Sequence, residues 1–141
     1  MTATGTRRDS TSDAVLVVGS DTVGVRVARS LPAAVTFAGF DERGVERVGP
    51  TVEESVVVDP RTHVPDGDTD VAVVTTPKDS LNLLYAQRLR VSTDVSTVLA
   101  RVSDPQYHEV FDSLGIETIC ASTAVSESLC DTYERSVPHY G

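Results

Sequence analysis

AVLVVGSDTVGVRVARSL, residues 14–31, is the stretch that decides the fold, and it opens with a short apolar run that ends at Gly19. Gly24 follows five positions later, and an apolar pattern of helical spacing begins there. A buried strand, a glycine turn and a helix in this order are typical of the first unit of a dinucleotide-binding βαβ fold. The fingerprint of that unit is G-x-G-x-x-G, and Asp21 stands where its middle glycine is expected. The stretch therefore predicts the fold, and the change at Asp21 bears on the ligand.

Strands and helices alternate outward from this unit. Strands are predicted at residues 14–18, 34–40, 55–58, 70–75, 97–102 and 117–120. Helices are predicted at 23–31 and 42–48, from Thr76 onward, from Asp104 to Gly115 and at 122–135. Strands three to six are short and nearly all apolar, which is typical of parallel strands buried on both faces. We expect one α/β domain with a doubly wound, mainly parallel, six-stranded Rossmann-like sheet.

The chain divides into three segments. Residues 1–13 are polar without periodicity and are expected to be a disordered leader. Residues 14–121 form the Rossmann-like domain, and residues 122–141 form a C-terminal helix and tail with Val125, Leu129 and Tyr133 on the apolar face of the helix. Thr76-Pro77-Lys78-Asp79 combines an N-cap, a proline at the first helical position and an acid three residues after the cap, so it predicts a helix start.

Composition limits the classes of partner. The formal net charge is −9, which disfavours nucleic acid and anionic membrane surfaces. Apolar runs reach only about five residues, far short of the roughly 20 that a membrane-spanning helix needs, so no direct membrane insertion is expected. Abundant acid beside eleven arginines and one lysine fits a salt-adapted protein, and it fits an ordinary acidic cytoplasmic protein equally well. In either case we expect a cytoplasmic location.

Catalytic and metal-binding patterns are not found in the sequence. Cys120 and Cys130 do not form a C-x-x-C pair, and no histidine cluster accompanies them. No serine lies in G-x-S-x-G, and neither cysteine has a recognisable histidine partner. We therefore expect no catalytic residue, no metal ligand and no enzymatic activity.

Four segments carry a resemblance to a known family. They are GSDTVG at 19–24, FAGFDERGVERV at 37–48, TTPKDSLNLLYAQRLR at 75–90 and LARVSDPQYHEVFDSLGIETICAST at 99–123. Together they resemble the TrkA N-terminal domain, also called the RCK domain, which regulates potassium conductance. The last segment is the most specific, because generic Rossmann dehydrogenases do not look like this after strand five.

The resemblance implies a regulatory protein rather than an enzyme. Members of the family bind NAD(H), ATP or ADP at the switch point of the sheet, form dimers or rings, and gate a membrane potassium transporter or channel subunit. Here the segment after strand three is short, leaving little room for the usual third helix, and no second ligand-binding domain follows Ser136. The resemblance and the fold together place the nucleotide site at Gly19, Ser20, Asp21, Thr22, Val23, Gly24, Asp41, Asp59, Thr75, Thr76, Asn82 and Arg101.

Asp21 decides between two interpretations of that site. Its carboxylate is expected at the helix N-terminus, where backbone N–H groups would otherwise receive a phosphate. Two like charges about 4 Å apart cost roughly 4 kcal/mol at an effective dielectric constant of 20, which is near a thousandfold in affinity. Asp21 either caps the helix and fills the anion site itself, or it points away or holds a cation that bridges to phosphate.

The other site residues also have two interpretations each. Asp41 ends strand two, 17 residues after Gly24, where an acid accepts hydrogen bonds from an adenosine ribose, or it is a solvated strand-end aspartate. Asp59, Thr75 and Thr76 end strands three and four, where ligands bind, although Asp59 is also explained as a turn residue and Thr76 as a helix cap. Arg101 lies within an apolar strand and needs a partner, either a phosphate or an acid.

Three functions follow from these patterns. The leading one is a regulatory subunit of potassium transport that senses NAD(H) or ATP/ADP or acts through protein contacts. The second is a fragment of an NAD(P)-dependent oxidoreductase, which lacks a substrate domain here. The third is an assembly module without a ligand. Self-association is expected for the first and the third.

Overall fold

The computed structural model describes residues 14–59 and 69–138. The predicted disordered leader at 1–13 and most of the connection after strand three lie outside the described residues. The strands are β1 (Ala14–Gly19), β2 (Ala34–Gly39), β3 (Glu54–Val57), β4 (Val71–Thr75), β5 (Thr97–Val102) and β6 (Glu117–Cys120). The helices are α1 (Thr22–Ser30), α2 (Glu42–Val48), α3 (Asp79–Ser92), α4 (His108–Ser113) and α5 (Ala121–Ser136).

The strands form one six-stranded sheet in the order β3-β2-β1-β4-β5-β6, and every pair is parallel. The order reverses at β1, because the chain builds outward to β3 and then returns to place β4 on the other side of β1. Val17 of β1 lies opposite Phe37 of β2 and Val73 of β4 in this register. The doubly wound Rossmann-like α/β fold predicted from the sequence is therefore confirmed.

Two apolar clusters cover the two faces of the sheet. On one face, Leu16 and Val18 of β1 pack with Tyr85 and Leu89 of α3 and with Phe111 of α4. Alternate residues of the same strand point to the opposite face, as the period of two in a strand requires. There, residues of β1 and β2 pack with α1 and α2 in a second cluster, made of Val15, Val17, Val25, Ala28, Val35, Phe37 and Val48.

The prediction that strands three to six are buried on both faces is wrong for the two edges. Ile119 of β6 is 59% exposed, and Val57 of β3 is 42% exposed. Ile119 of β6 is exposed because of the position of α5. This helix leaves the end of β6, and none of the residues of the helix is buried. On one face of the sheet, side chains of β4, β5 and β6 border an apolar groove between α1 and α5.

Helix α3 begins later than the sequence predicted. Its first residue is Asp79, so the N-cap position belongs to Lys78 and not to Thr76. The buried face of α3 consists of Asn82, Tyr85, Ala86 and Leu89, and burial raises the pKa of the Tyr85 hydroxyl. Within residues 14–59 and 69–138, no helix is both long and apolar enough to span a membrane.

Candidate functional site

The turn between β1 and α1 is built by the close approach of two glycines. A Cβ atom added to Gly24 would lie 3.0 Å from the Cα of Gly19, and one added to Gly19 would meet the carbonyl oxygen of Thr75 at 3.3 Å. The first of these distances is tighter than nine in ten contacts of real Cβ atoms, so the neighbouring backbone would have to move. Both glycines therefore favour the close packing of α1 on the sheet, whether or not a ligand binds.

Asp21 makes two contacts that bring it into this turn. It is the N-cap of α1, and its Oδ1 atom accepts a hydrogen bond from the backbone N–H of Gly24 at 3.4 Å. Its Oδ2 atom accepts a hydrogen bond from Nη1 of Arg101, near the end of β5, at 3.1 Å. The acidic side chain thus lies at the helix N-terminus and neutralises the one arginine that reaches it from β5. This geometry matches the first interpretation of Asp21, in which the carboxylate fills the anion site.

The turn after β2 repeats the turn after β1. Gly19, Asp21 and Gly24 have the spacing G-x-D-x-x-G, and Gly39, Asp41 and Gly44 have the same spacing. Asp41 caps α2 by accepting a hydrogen bond from the backbone N–H of Gly44 at 2.9 Å. The repeated spacing is the sequence signal that identifies Asp21 as a helix cap, because the aspartate at the equivalent position of the second turn also caps a helix.

Asn82 is fully buried and joins the ends of two neighbouring strands. Its Oδ1 atom accepts hydrogen bonds from the backbone N–H and the hydroxyl of Thr76, at 3.0 and 2.7 Å. Its Nδ2 group donates to the carbonyl oxygens of Thr76 and Arg101, both at 2.9 Å. Every one of these groups belongs to the protein, so Asn82 and Thr76 have a structural role at the ends of β4 and β5, and the ligand-binding roles predicted for them stay predictions.

Asp79 is a residue of this edge whose role was not predicted. The sequence pattern places it as the acid that follows a helix cap. In the structure its carboxylate instead accepts hydrogen bonds from the backbone N–H groups of Ser103 and Asp104, at 2.7 and 2.8 Å. It therefore anchors the loop that follows β5, a tertiary contact that no local sequence pattern reports.

The remaining predicted site residues surround the turn unevenly. Thr22 accepts a hydrogen bond from Nη2 of Arg47 at 2.8 Å, so it ties the start of α1 to α2. Ser20 is half-buried in the turn, while Asp59 is exposed beyond the end of β3. Thr75 is buried beneath the two glycines. Val23 is 42% exposed and faces a groove rather than the turn.

That groove lies over β4, β5 and β6 and has a volume of about 330 Å³. Helix α1 forms one wall and the first turns of α5 form the other, while β4, β5 and β6 form the floor. Its lining is mostly apolar and comprises Val23, Val27, Val73, Thr75, Leu99, Ala100, Arg101, Ile119, Ala121, Ala124 and Val125. We call this the open groove.

The fold implies a dinucleotide of the NAD(P) type, bound across the carboxyl ends of β1 and β2. The adenosine half fits the residues present, because Asp41 lies exposed just beyond the end of β2 and only its Oδ1 atom takes part in the helix cap. The pyrophosphate half does not fit in the same way. The Asp21 carboxylate already lies at the N-terminus of α1 and already pairs with Arg101.

Comparison with known proteins supports the fold and part of the resemblance. The family model of the TrkA-N domain matches residues 66–122, which confirms the predicted resemblance over β4, α3, β5, α4 and β6. A solved structure with this architecture is the NAD(P)-binding domain of an exopolyphosphatase-related protein from Archaeoglobus fulgidus. It is 24% identical, with a TM-score of 0.72 over 86% of this chain and 97% of that one. No curated protein matches the chain in sequence.

Proposed function

We propose that this chain is a non-catalytic regulatory subunit of a potassium transport system, located in the cytoplasm and acting as a homodimer. The observation that carries the proposal is the exposed apolar face of α5 beside the open groove. The match to the TrkA-N domain supports the regulatory class. The polar groups at the carboxyl edge of β4 and β5 support the absence of catalysis, because Asn82, Asp79 and Asp21 all bind other parts of the protein.

Helix α5 has an apolar face that nothing in the chain covers within the described residues. Val125, Leu129 and Tyr133 recur at every fourth position, and they are 58%, 65% and 68% exposed. None of the 16 residues of α5 is buried. A helix of this length with one continuous apolar stripe is typical of a surface that binds a partner.

A second copy of the chain is the partner whose surface matches this face. Each copy offers both an apolar helix stripe and an apolar groove, and α5 belongs to both because Val125 also lines the groove. A two-fold axis brings the stripe of each copy onto the groove of the other, so that both surfaces are buried at once. The sequence predicted self-association, and this arrangement supplies a physical basis for it.

The dimer offers a route from ligand to membrane partner. Helix α1 follows the glycine turn and also forms a wall of the open groove, so a nucleotide that shifts α1 changes the surface available to the second copy. NAD(H) or ATP/ADP would then favour one arrangement of the dimer, and a membrane transporter or channel subunit would respond to that preference.

Potassium uptake in the native host tests the proposed function. Deleting the gene should change the initial rate of ⁸⁶Rb⁺ uptake, and the wild-type gene should restore it. A gene with Leu129→Asp and Tyr133→Asp should fail to restore the rate, although both positions are exposed in the single chain. A control gene with Gln87→Ala, an exposed position on α3, should restore it fully. An unchanged uptake rate after deletion would contradict the role in potassium transport.

A further inference from the structure

We propose that Asp21 is a built-in competitor of the nucleotide phosphates, so that a dinucleotide binds only by separating Asp21 from Arg101. This inference deepens the proposed function and rests on its nucleotide response, but not on self-association. It explains why two features of the molecule lead to opposite expectations for nucleotide binding. The sheet has the order and the glycine turn of a dinucleotide site, while an acidic side chain lies where such a site receives negative charge.

The position of the carboxylate is the first step of the argument. Asp21 lies between two sources of positive potential, the N-terminus of α1 and the guanidinium of Arg101. Backbone N–H groups at a helix N-terminus and an arginine are the groups that bind a phosphate in proteins. Both groups are therefore engaged by Asp21 in place of a phosphate.

The contacts of Asp21 are incomplete, which allows a ligand to displace it. Its bond to the Gly24 N–H is long at 3.4 Å, whereas Asp41 makes the equivalent bond to Gly44 at 2.9 Å. The pair with Arg101 is a single contact between Nη1 of Arg101 and Oδ2 of Asp21, and the two side chains are 21% and 31% exposed respectively. Nε of Arg101 is buried and has no hydrogen-bond partner among the described residues. A partly exposed, singly bonded pair is a weak one.

Asp21 therefore lowers the affinity for phosphate-bearing ligands without abolishing the site. A bound pyrophosphate and a carboxylate a few ångströms away repel each other, and the ligand must also compete for the arginine. Replacing the aspartate by glycine restores the G-x-G-x-x-G fingerprint and removes both effects. Removing the repulsion between the carboxylate and the pyrophosphate is by itself expected to raise the affinity at least about 100-fold.

Titration with NADH, followed by its fluorescence, tests the inference on the full chain. The Asp21→Gly variant should bind NADH at least about 100-fold more tightly than the wild type. Asp21→Asn retains an acceptor for the helix cap and loses the charge, so its affinity should lie between the two. Asp94→Asn removes one charge at an exposed position before β5, at the opposite end of the sheet, and should bind as the wild type does. Adding Arg101→Gln to Asp21→Gly should remove most of the gain.

Each contrary outcome has a separate meaning. Equal binding of NADH by the wild type and by both Asp21 variants would overturn the competition while leaving the nucleotide response intact. Binding by none of the proteins would overturn both the inference and the nucleotide response of the proposed function. Circular dichroism spectra of the variants show whether they are folded, and the Asn variant keeps the test decisive if the Gly variant is not.

Discussion

Replacing Asn82 with alanine should destabilise the domain by about 3–5 kcal/mol, although the substitution removes only one small polar side chain. Asn82 is fully buried and makes four hydrogen bonds. Three of them join the N–H, the hydroxyl and the carbonyl oxygen of Thr76, and the fourth joins the carbonyl oxygen of Arg101. It is the chain's one asparagine, and it holds the end of β4 against the end of β5.

The magnitude follows from the backbone groups that the substitution leaves without a partner. These are the N–H and the carbonyl oxygen of Thr76, which is itself 1% exposed, and the carbonyl oxygen of Arg101. An unsatisfied buried polar group costs about 1–3 kcal/mol, and water entering the small space recovers part of the total. A loss of about 3–5 kcal/mol is a large share of the roughly 5–15 kcal/mol that keeps a domain folded.

Urea denaturation followed by circular dichroism measures this loss. The midpoint should fall while the slope of the free energy against urea concentration stays constant, because the surface exposed on unfolding is nearly the same. Gln87→Ala is the matched control, since Gln87 lies on the exposed face of the same helix, and it should change stability by less than about 0.5 kcal/mol. A loss below about 1 kcal/mol for Asn82→Ala would refute the reasoning.

Two further predictions concern the glycine turns after β1 and β2 and the thiol of Cys120. Gly24→Ala should destabilise the domain by about 1–3 kcal/mol, because the new Cβ would meet the Gly19 backbone at 3.0 Å. Gly44→Ala, at the equivalent place in the second turn, meets nothing closer than 3.7 Å and should leave stability unchanged or raise it. Thermal melts of the two variants measure the difference, and equal effects would contradict the prediction. The Ser122 hydroxyl, with Thr123, lowers the pKa of the Cys120 thiol to about 7. In a Cys130→Ser protein the rate of Cys120 alkylation by iodoacetamide should therefore rise with pH and reach half its maximum near pH 7. A midpoint above about pH 8 is that of an ordinary thiol and would contradict the lowered pKa.

Local patterns in the sequence were sufficient to predict the fold. The short apolar strands, the glycine turn at 19–24 and the alternation of strands and helices predicted a six-stranded sheet, and the structure has it. The turn that closes α4 at Gly115 was also predicted, and Gly115 has a φ of 75°, which is readily adopted only by glycine. Such features depend on residues close together in the chain, where composition and spacing carry the information.

The candidate site could be predicted only in part, because its contacts join distant residues. Asp21 and Arg101 are 80 positions apart, so the sequence showed that Arg101 needs a partner without showing which one. Asn82 was assigned to the ligand because its position matches the family that the chain resembles, whereas the structure shows its hydrogen bonds to Thr76 and to the carbonyl oxygen of Arg101. The spacing G-x-D-x-x-G was visible in both turns, and its repetition predicts the capping role of Asp21.

The exposure of α5 shows a different limit of sequence patterns. Val125, Leu129 and Tyr133 form the predicted apolar face, but the stripe does not reveal whether it packs inside the same chain or against another. The structure places the stripe on the surface, beside a groove of similar character. An apolar stripe predicts a contact surface, and the fold shows that the described residues of the same chain do not cover this one.

The molar mass in solution tests the central claim most directly. Light scattering on the eluting peak of a size-exclusion column should give twice the chain mass of 15.0 kDa for the wild type. Leu129→Asp with Tyr133→Asp should give a monomer, because each buried large side chain contributes about 1.5–3 kcal/mol to association and a charge there cannot be buried. A wild type that elutes at 15.0 kDa even at high concentration, or a double variant that remains a dimer, would contradict the account.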